Sequence, residues 1–257
     1  MEISIKQLKV ELAKHGYDLL LKHKSPNHPA IELSDFELEA LNYILENNLT
    51  MTSVAKLVNT IKSCRYVVEN GIDGDWVECG VWRGGSSILA KMMFEHLESS
   101  KEVWLFDTFE GMTKPTDDDV HIAFNQPAKV KYEQTLNEDH SDWCYASFED
   151  VKLNIANSKV DESGMHLIKG DVCETLNAAQ LPDKISILRL DTDWYESSKT
   201  EMDVLYPKLS IHGVLILDDY GHWSGAKKAV DEYFQKYKPA PMLNVVDYAG
   251  RSGIKVC

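Results

Sequence analysis

From Asp75 onward the chain alternates short apolar runs with stretches of helical period. The runs are Asp75–Gly80, Glu102–Phe106, Met165–Ile168, Ile185–Leu190 and Val214–Leu217. Runs this short and this apolar suit strands covered on both faces, as in a parallel sheet. The stretches between them predict helices beginning near Ser86 and over Phe148–Ala156, Glu196–Leu209 and Gly225–Tyr237, and short strands near Leu243–Val246 and Gly253–Val256 predict a terminal hairpin. The alternation predicts an α/β, Rossmann-like fold: a mainly parallel sheet of about seven strands with helices on both faces. Upstream the period is helical. Ser34-Asp-Phe-Glu37 is a capping-box pattern ahead of Phe36, Ala40, Leu41, Ile44 and Leu45, and a second helix carries Val54, Leu57, Val58, Ile61 and Cys64 before Gly71. The expected organisation is a helical N-terminal extension over 1–71 and one compact Rossmann-like domain over 72–257.

Two of the runs end abruptly in acid: Ile185–Leu190 in Asp191 and Asp193, and Val214–Leu217 in Asp218–Asp219. If both are parallel strands, their tips share the carboxyl edge, where open α/β sheets place ligands. Asp191, Asp218 and Asp219 would then meet in one crevice. Like charges a few ångströms apart raise one another's pKa, and a hard divalent ion with oxygen ligands relieves them, so the trio reads as a Mg²⁺ site. The alternative is a set of helix caps and strand-end turns.

The first strand runs into Gly80-Val-Trp-Arg-Gly84-Gly85, a tight turn that opens a helix. Glycines let backbone approach a ligand, and a helix N-terminus offers free N–H groups. The spacing is not G-x-G-x-x-G, and Glu78 stands just before the turn; a carboxylate there repels pyrophosphate and welcomes a zwitterion, so S-adenosylmethionine fits better than a nicotinamide cofactor. Asp107, at the tip of the second strand, is placed to accept both ribose hydroxyls, and the Gly170–Asp171 tip of the third is placed to reach an adenine. Between Met112 and Asp142 the chain loses its period, with breakers at Pro115 and Pro127; so long a loop after a cofactor strand reads as a substrate lid. The loop Leu49–Ser53 is the part of the N-terminal region expected to touch a ligand.

Charge and cysteine usage narrow the classes. A formal net charge of −14 and a sequence pI near 5.0 argue against a nucleic-acid surface or an anionic-membrane patch. The five cysteines, an odd number with no CxxC pair, fit reduced thiols in a cytosol. No apolar signal core or bilayer-length run is present, so a cytoplasmic protein is expected.

The segments Glu78-Cys-Gly-Val-Trp-Arg-Gly-Gly85, Asp107-Thr-Phe-Glu-Gly111, Leu188-Arg-Leu-Asp-Thr-Asp-Trp-Tyr-Glu-Ser197, Leu205-Tyr-Pro207, Gly213-Val-Leu-Ile-Leu-Asp-Asp-Tyr220 and Ala229-Val-Asp-Glu-Tyr233 together resemble the macrocin O-methyltransferase family. The resemblance implies a class I S-adenosylmethionine methyltransferase that uses Mg²⁺ to methylate sugar hydroxyls of natural products, often as a homo-oligomer. It implies metal ligation by Asp191, Asp218 and Asp219. It implies cofactor contacts from Thr50, Met51, Glu78, Cys79, Gly80, Val81, Trp82, Asp107, Thr108, Phe109, Gly111, Gly170 and Asp171. The family places a histidine general base between Met112 and Gly164; His140 is the first choice, His121 the second, and His222, after the paired aspartates, a third. Asp191 and His140 are thus the expected catalytic residues, and the resemblance implies a small hydroxylated, glycosylated acceptor. Arg83, Trp194, Tyr195 and Trp223 are candidate pocket walls. Rival readings are a catechol-like phenol O-methyltransferase, a catalytically silent methyltransferase-fold subunit, and, weakest, a nicotinamide dehydrogenase.

Overall fold

The computed structural model describes residues 32–257 except 139 and 179. The part of the expected N-terminal extension before residue 32 lies outside the described residues. By its contacts the chain divides into Met1–Leu33 and a second unit, Ser34–Cys257. It opens with α1 (Asp35–Glu46), whose Ser34 Oγ accepts from Glu37 N at 3.3 Å while Ser34 N donates to Glu37 Oε2 at 2.7 Å, the predicted capping box. Next comes α2 (Val54–Glu69), capped by Ser53. Both helices pack on α3 (Gly85–His96), and α2 also meets the centre of the sheet.

The sheet has seven strands: β1 (Asp75–Cys79), β2 (Val103–Asp107), β5 (Met165–Lys169), β6 (Ile185–Leu190), β7 (Leu209–Leu217), β8 (Asn244–Val245) and β9 (Arg251–Ile254). Their spatial order is β5-β2-β1-β6-β7-β9-β8. The first five are parallel, and β9 and β8 run antiparallel at the end, which is the expected hairpin. All six residues of β6 are buried, Ser186 and Arg189 included, as its mostly apolar run predicted. Val77, Phe106, Leu188 and Leu215 pack with Met202, Leu205 and Phe234 on one face. Each such side chain contributes on the order of 2 kcal/mol by leaving water.

Several boundaries differ from expectation for local reasons. The helix expected over Glu196–Leu209 is α7 (Tyr195–Val204) followed by a 3₁₀ turn, Tyr206–Lys208, because Pro207 cannot continue an α-helix. The long Met112–Asp142 loop is an ordered excursion: a hairpin of β3 (Val120–His121) and β4 (Gln126–Pro127), then α4 (Ala128–Thr135). The remaining helices are α5 (Phe148–Ser158), α6 (Val172–Ala178) and α8 (Ser224–Lys236).

The root of that excursion is tied to the sheet side. Asp119, fully buried, accepts from Tyr195 N at 2.8 Å and so caps α7, which has no side-chain cap of its own; it also accepts from Thr116 N and Oγ1. Val120 N donates to Ser224 Oγ at the start of α8.

Candidate active site

The strand order reverses direction at β1, whose neighbours β2 and β6 lead to opposite halves of the sheet. A crevice outside the carboxyl edge at such a point is the default ligand site of an open α/β sheet. A cavity of about 480 Å³ lies there.

Its first half is made by the glycine turn. Gly80, Trp82 and Gly84 all have positive φ, and a Cβ on Gly80 would come within 2.0 Å of the Asp191 carbonyl, so the tips of β1 and β6 touch backbone to backbone. Gly85 N donates to Leu49 O at 3.0 Å, which lays the Leu49–Ser53 loop along the turn. Asp107 holds the turn open. Its Oδ2 accepts from Val81 N at 2.7 Å and Trp82 N at 3.0 Å, and its Oδ1 from Phe109 N at 2.8 Å. Burial raises its pKa against the lowering effect of these amides. Thr50, Met51, Glu78, Gly80, Val81, Trp82, Asp107, Thr108, Gly111, Gly170 and Asp171 all line the cavity.

The second half is acidic. Arg189 projects from β6 with its side chain 2% exposed, and Nη1 meets Glu78 Oε1 at 2.7 Å and Asp191 Oδ2 at 2.6 Å while Nη2 meets Asp218 Oδ1 at 2.5 Å. One guanidinium thus ties the tips of β1, β6 and β7 together. Lys56 of α2 pairs with the other oxygen of Asp218. Five carboxyls, Glu78, Asp191, Asp193, Asp218 and Asp219, therefore face two cations. Ligand atoms of Asp191, Asp193 and Asp219 come within 4.8 Å of one another, and Asp219 Oδ2 is buried with no hydrogen-bond partner. Burial, then the neighbouring carboxylates, push Asp219 well up, and burial brings Asp193 to about 7. An oxygen-only cluster with an unbonded buried oxygen fits a hard divalent cation.

Beyond the acids the wall is aromatic. Trp143, Trp194 and Trp223 stack edge to face at centroid distances of 5.1 to 5.9 Å, with Lys131 Nζ 4.2 Å from the Trp143 ring centre. Trp143, Trp223, Lys131, His222 and Tyr248 line the cavity.

A family model described as macrocin-O-methyltransferase matches residues 42–252. The chain belongs to the macrocin O-methyltransferase family. It is similar to the demethyldecarbamoylnovobiocin O-methyltransferase of Streptomyces niveus, with 32% identity over 209 residues, 79% of this chain and 74% of that one. It is similar to the mycinamicin III 3''-O-methyltransferase of Micromonospora griseorubida, with 27% identity over 202 residues, 78% and 76% of the two chains. The solved O-methyltransferase NovP matches with a TM-score of 0.70 and 30% identity, covering 81% of this chain and 83% of its own. The protein is thus an S-adenosylmethionine-dependent O-methyltransferase, and its strand order is the expected class I fold.

Within this methyltransferase some candidates sit elsewhere than expected. Cys79 is buried in the apolar core under the sheet edge, and Phe109 packs edge to face on Phe148 with 2% exposure; neither lines the cavity. Asp218, expected in the metal trio, is engaged by Arg189 and Lys56 on the same edge, and Asp193 joins Asp191 and Asp219 among the converging carboxyls. His140 lies outside the cavity lining, with Nε2 3.1 Å from Asp142 Oδ1, in the turn closed by the Leu136–Ser141 bridge. His121 is also outside the lining; its Nδ1 accepts from Ala123 N and Phe124 N. His222 does line the cavity, and its Nδ1 is 2.9 Å from the Tyr248 hydroxyl; burial and His121 depress its pKa to about 4. Of the candidate walls, Trp223 lines the cavity, Trp194 backs it, Arg83 pairs with Asp150 at 2.9 Å and Tyr195 donates to Glu232 at 2.7 Å.

Proposed function

We propose that the enzyme transfers the S-adenosylmethionine methyl group to a hydroxyl of a sugar or sugar-bearing natural product with the help of Mg²⁺. The observation that carries the metal is the convergence of Asp191, Asp193 and Asp219 around a buried, unbonded Asp219 oxygen. Asp191 and Asp219, with Asp218 on the same edge, would hold the ion. When bound, Mg²⁺ polarises a hydroxyl oxygen and offsets the charge that develops on it.

The chain's own residues supply the rest. The β1 turn and Asp107 hold the cofactor side, and the Trp143 and Trp223 rings offer flat faces for an acceptor ring opposite the acids. In-line displacement forms the new O–CH₃ bond as the C–S bond breaks, S-adenosylhomocysteine leaves, and the hydroxyl proton passes to a base. We assign that base to Asp193, a cavity-lining carboxyl that converges with Asp191 and Asp219 at the acidic edge, whereas His140 lies outside the lining. For the wider organisation, we assign 72–257 to the Rossmann-like domain, with the Thr50–Lys56 stretch ahead of it completing the site, in a cytoplasmic homo-oligomer. Light scattering at the 29.2 kDa of one chain would refute the oligomer.

The decisive experiment uses a glycosylated acceptor. EDTA should abolish methyl transfer and Mg²⁺ restore it, while S-adenosylhomocysteine affinity largely persists. Asp219→Asn should lose metal affinity and turnover, because Asn keeps the shape and removes one charge. Chelator-insensitive turnover in Asp219→Asn would return the acidic tips to a structural role. A phenolic acceptor methylated in preference to a glycosylated one would favour the catechol-like alternative.

A further inference from the structure

One cation reaches the acidic crevice from outside the sheet. Lys56 lies in the first turn of α2, its side chain is 10% exposed, and its Nζ is bonded to Asp218 Oδ2. Burial disfavours its charge, but Asp218, Asp219 and Asp191 outweigh burial and raise its pKa, so it is an ammonium. Its position differs from that of Arg189, which is built into β6 and held by carboxyls on three strands. Lys56 hangs on a four-carbon stem from a helix and, among the described residues, is ion-paired with Asp218. A flexible point charge of this kind can leave a carboxylate when a stronger cation arrives; a forked, strand-borne guanidinium cannot.

The start of α2 also joins other parts of the site. Ser53 Oγ accepts from Lys56 N at 3.3 Å and donates to Asp247 Oδ2 at 2.6 Å, which bridges α2 to the loop between β8 and β9. Thr50 and Met51, a few residues earlier, line the cavity beside the glycine turn.

We propose that Lys56 is a resident counter-ion for the divalent-cation site: it balances Asp218 while the metal is absent and yields that carboxylate when the metal enters. The proposal rests on the Mg²⁺ reading above. It follows that metal binding works against one positive charge already in place. It follows too that metal occupancy is linked, through the first turn of α2, to the Thr50–Met51 edge of the cofactor site, and linkage of this kind is reciprocal.

The test is calorimetric titration of the full-length protein with MgCl₂ and with MnCl₂, above neutral pH so that protons compete little for the carboxyls. Lys56→Met should bind either ion about tenfold more tightly than wild type or better, since an opposing unit charge a few ångströms away is removed. Lys56→Arg, which keeps the charge, should stay within about threefold of wild type. In EDTA the Lys56→Met protein should melt below wild type, and added Mg²⁺ should close the gap. Lys56→Gln serves as a second neutral variant should the Met side chain disturb folding. If both neutral variants bind the ions no more tightly than wild type, Lys56 is not the counter-ion, and the metal reading stands. If neither wild type nor the neutral variants bind either ion, the metal reading falls and the counter-ion role with it.

Discussion

Arg189→Met isolates the contribution of the guanidinium that ties three strand tips together. Methionine keeps the length of the stem and removes the charge. Glu78, Asp191 and Asp218 then lose the guanidinium; Asp218 keeps Lys56, but Glu78, at 2% side-chain exposure, is left as a buried carboxyl with no cation paired to it. Breaking a buried ion pair by removing one partner costs about 3–5 kcal/mol. Asp191, at 27%, is reached by water and adds little to that figure. For a domain of this size each kcal/mol moves the midpoint about 2–4 °C, so thermal unfolding should fall by roughly 6–20 °C. The loss should be larger at about pH 8 than at about pH 5, because carboxyls without a guanidinium regain protons as the pH falls. Arg189→Lys should recover only part, since one ammonium cannot span Glu78 on β1 and Asp218 on β7. A melting temperature for Arg189→Met within about 2 °C of wild type would refute the argument, as it would mean that the carboxyls are neutral and satisfy one another.

Other outcomes follow from single contacts. Glu201, fully buried, accepts from Thr192 Oγ1 at 2.8 Å and is pushed by burial to about 8. A raised carboxyl pKa means stability is lost as pH rises from the ordinary value of 4.5 through about 8, so Glu201→Gln should match wild type in acid and melt higher at about pH 9; equal melts there would refute this. Gly80→Ala puts a Cβ 2.0 Å from the Asp191 carbonyl at positive φ, and should abolish S-adenosylhomocysteine binding measured by calorimetry. Asp107→Ala frees three backbone amides of the turn and should weaken the same binding by about tenfold or more, each hydrogen bond to a charged acceptor contributing about 1.5–3 kcal/mol; unaltered affinity would remove Asp107 from the cofactor site.

The sheet was legible because buried parallel strands write themselves as short, mostly apolar runs, and Ile185–Leu190 matches β6 residue for residue. The acidic tips were legible because a strand end fixes where its next residues point. What lay hidden depends on contacts distant in sequence. A lysine in the first turn of an amphipathic helix reads as solvated, and nothing near Lys56 in the chain tells of Asp218. Arg189 offered a usable sign, a charge inside an apolar strand, which must find buried partners. Asp193 was visible in the Asp-Thr-Asp tip, but only the positive φ of 70° at that residue shows that it turns back toward Asp219. The lid hairpin failed to register because two-residue strands carry no period.

Asp119 has a bearing on engineering. It belongs to the lid in sequence, yet it serves as the missing cap of α7, 76 residues further on, and a Cβ on Gly225 would lie 1.8 Å from its Oδ1. Lids exchanged among family members to change acceptor choice should therefore be joined after Asp119, with Thr116 and Gly225 left as they are. A graft that begins earlier would replace Asp119 along with the rest of the excursion and uncap the helix that follows β6.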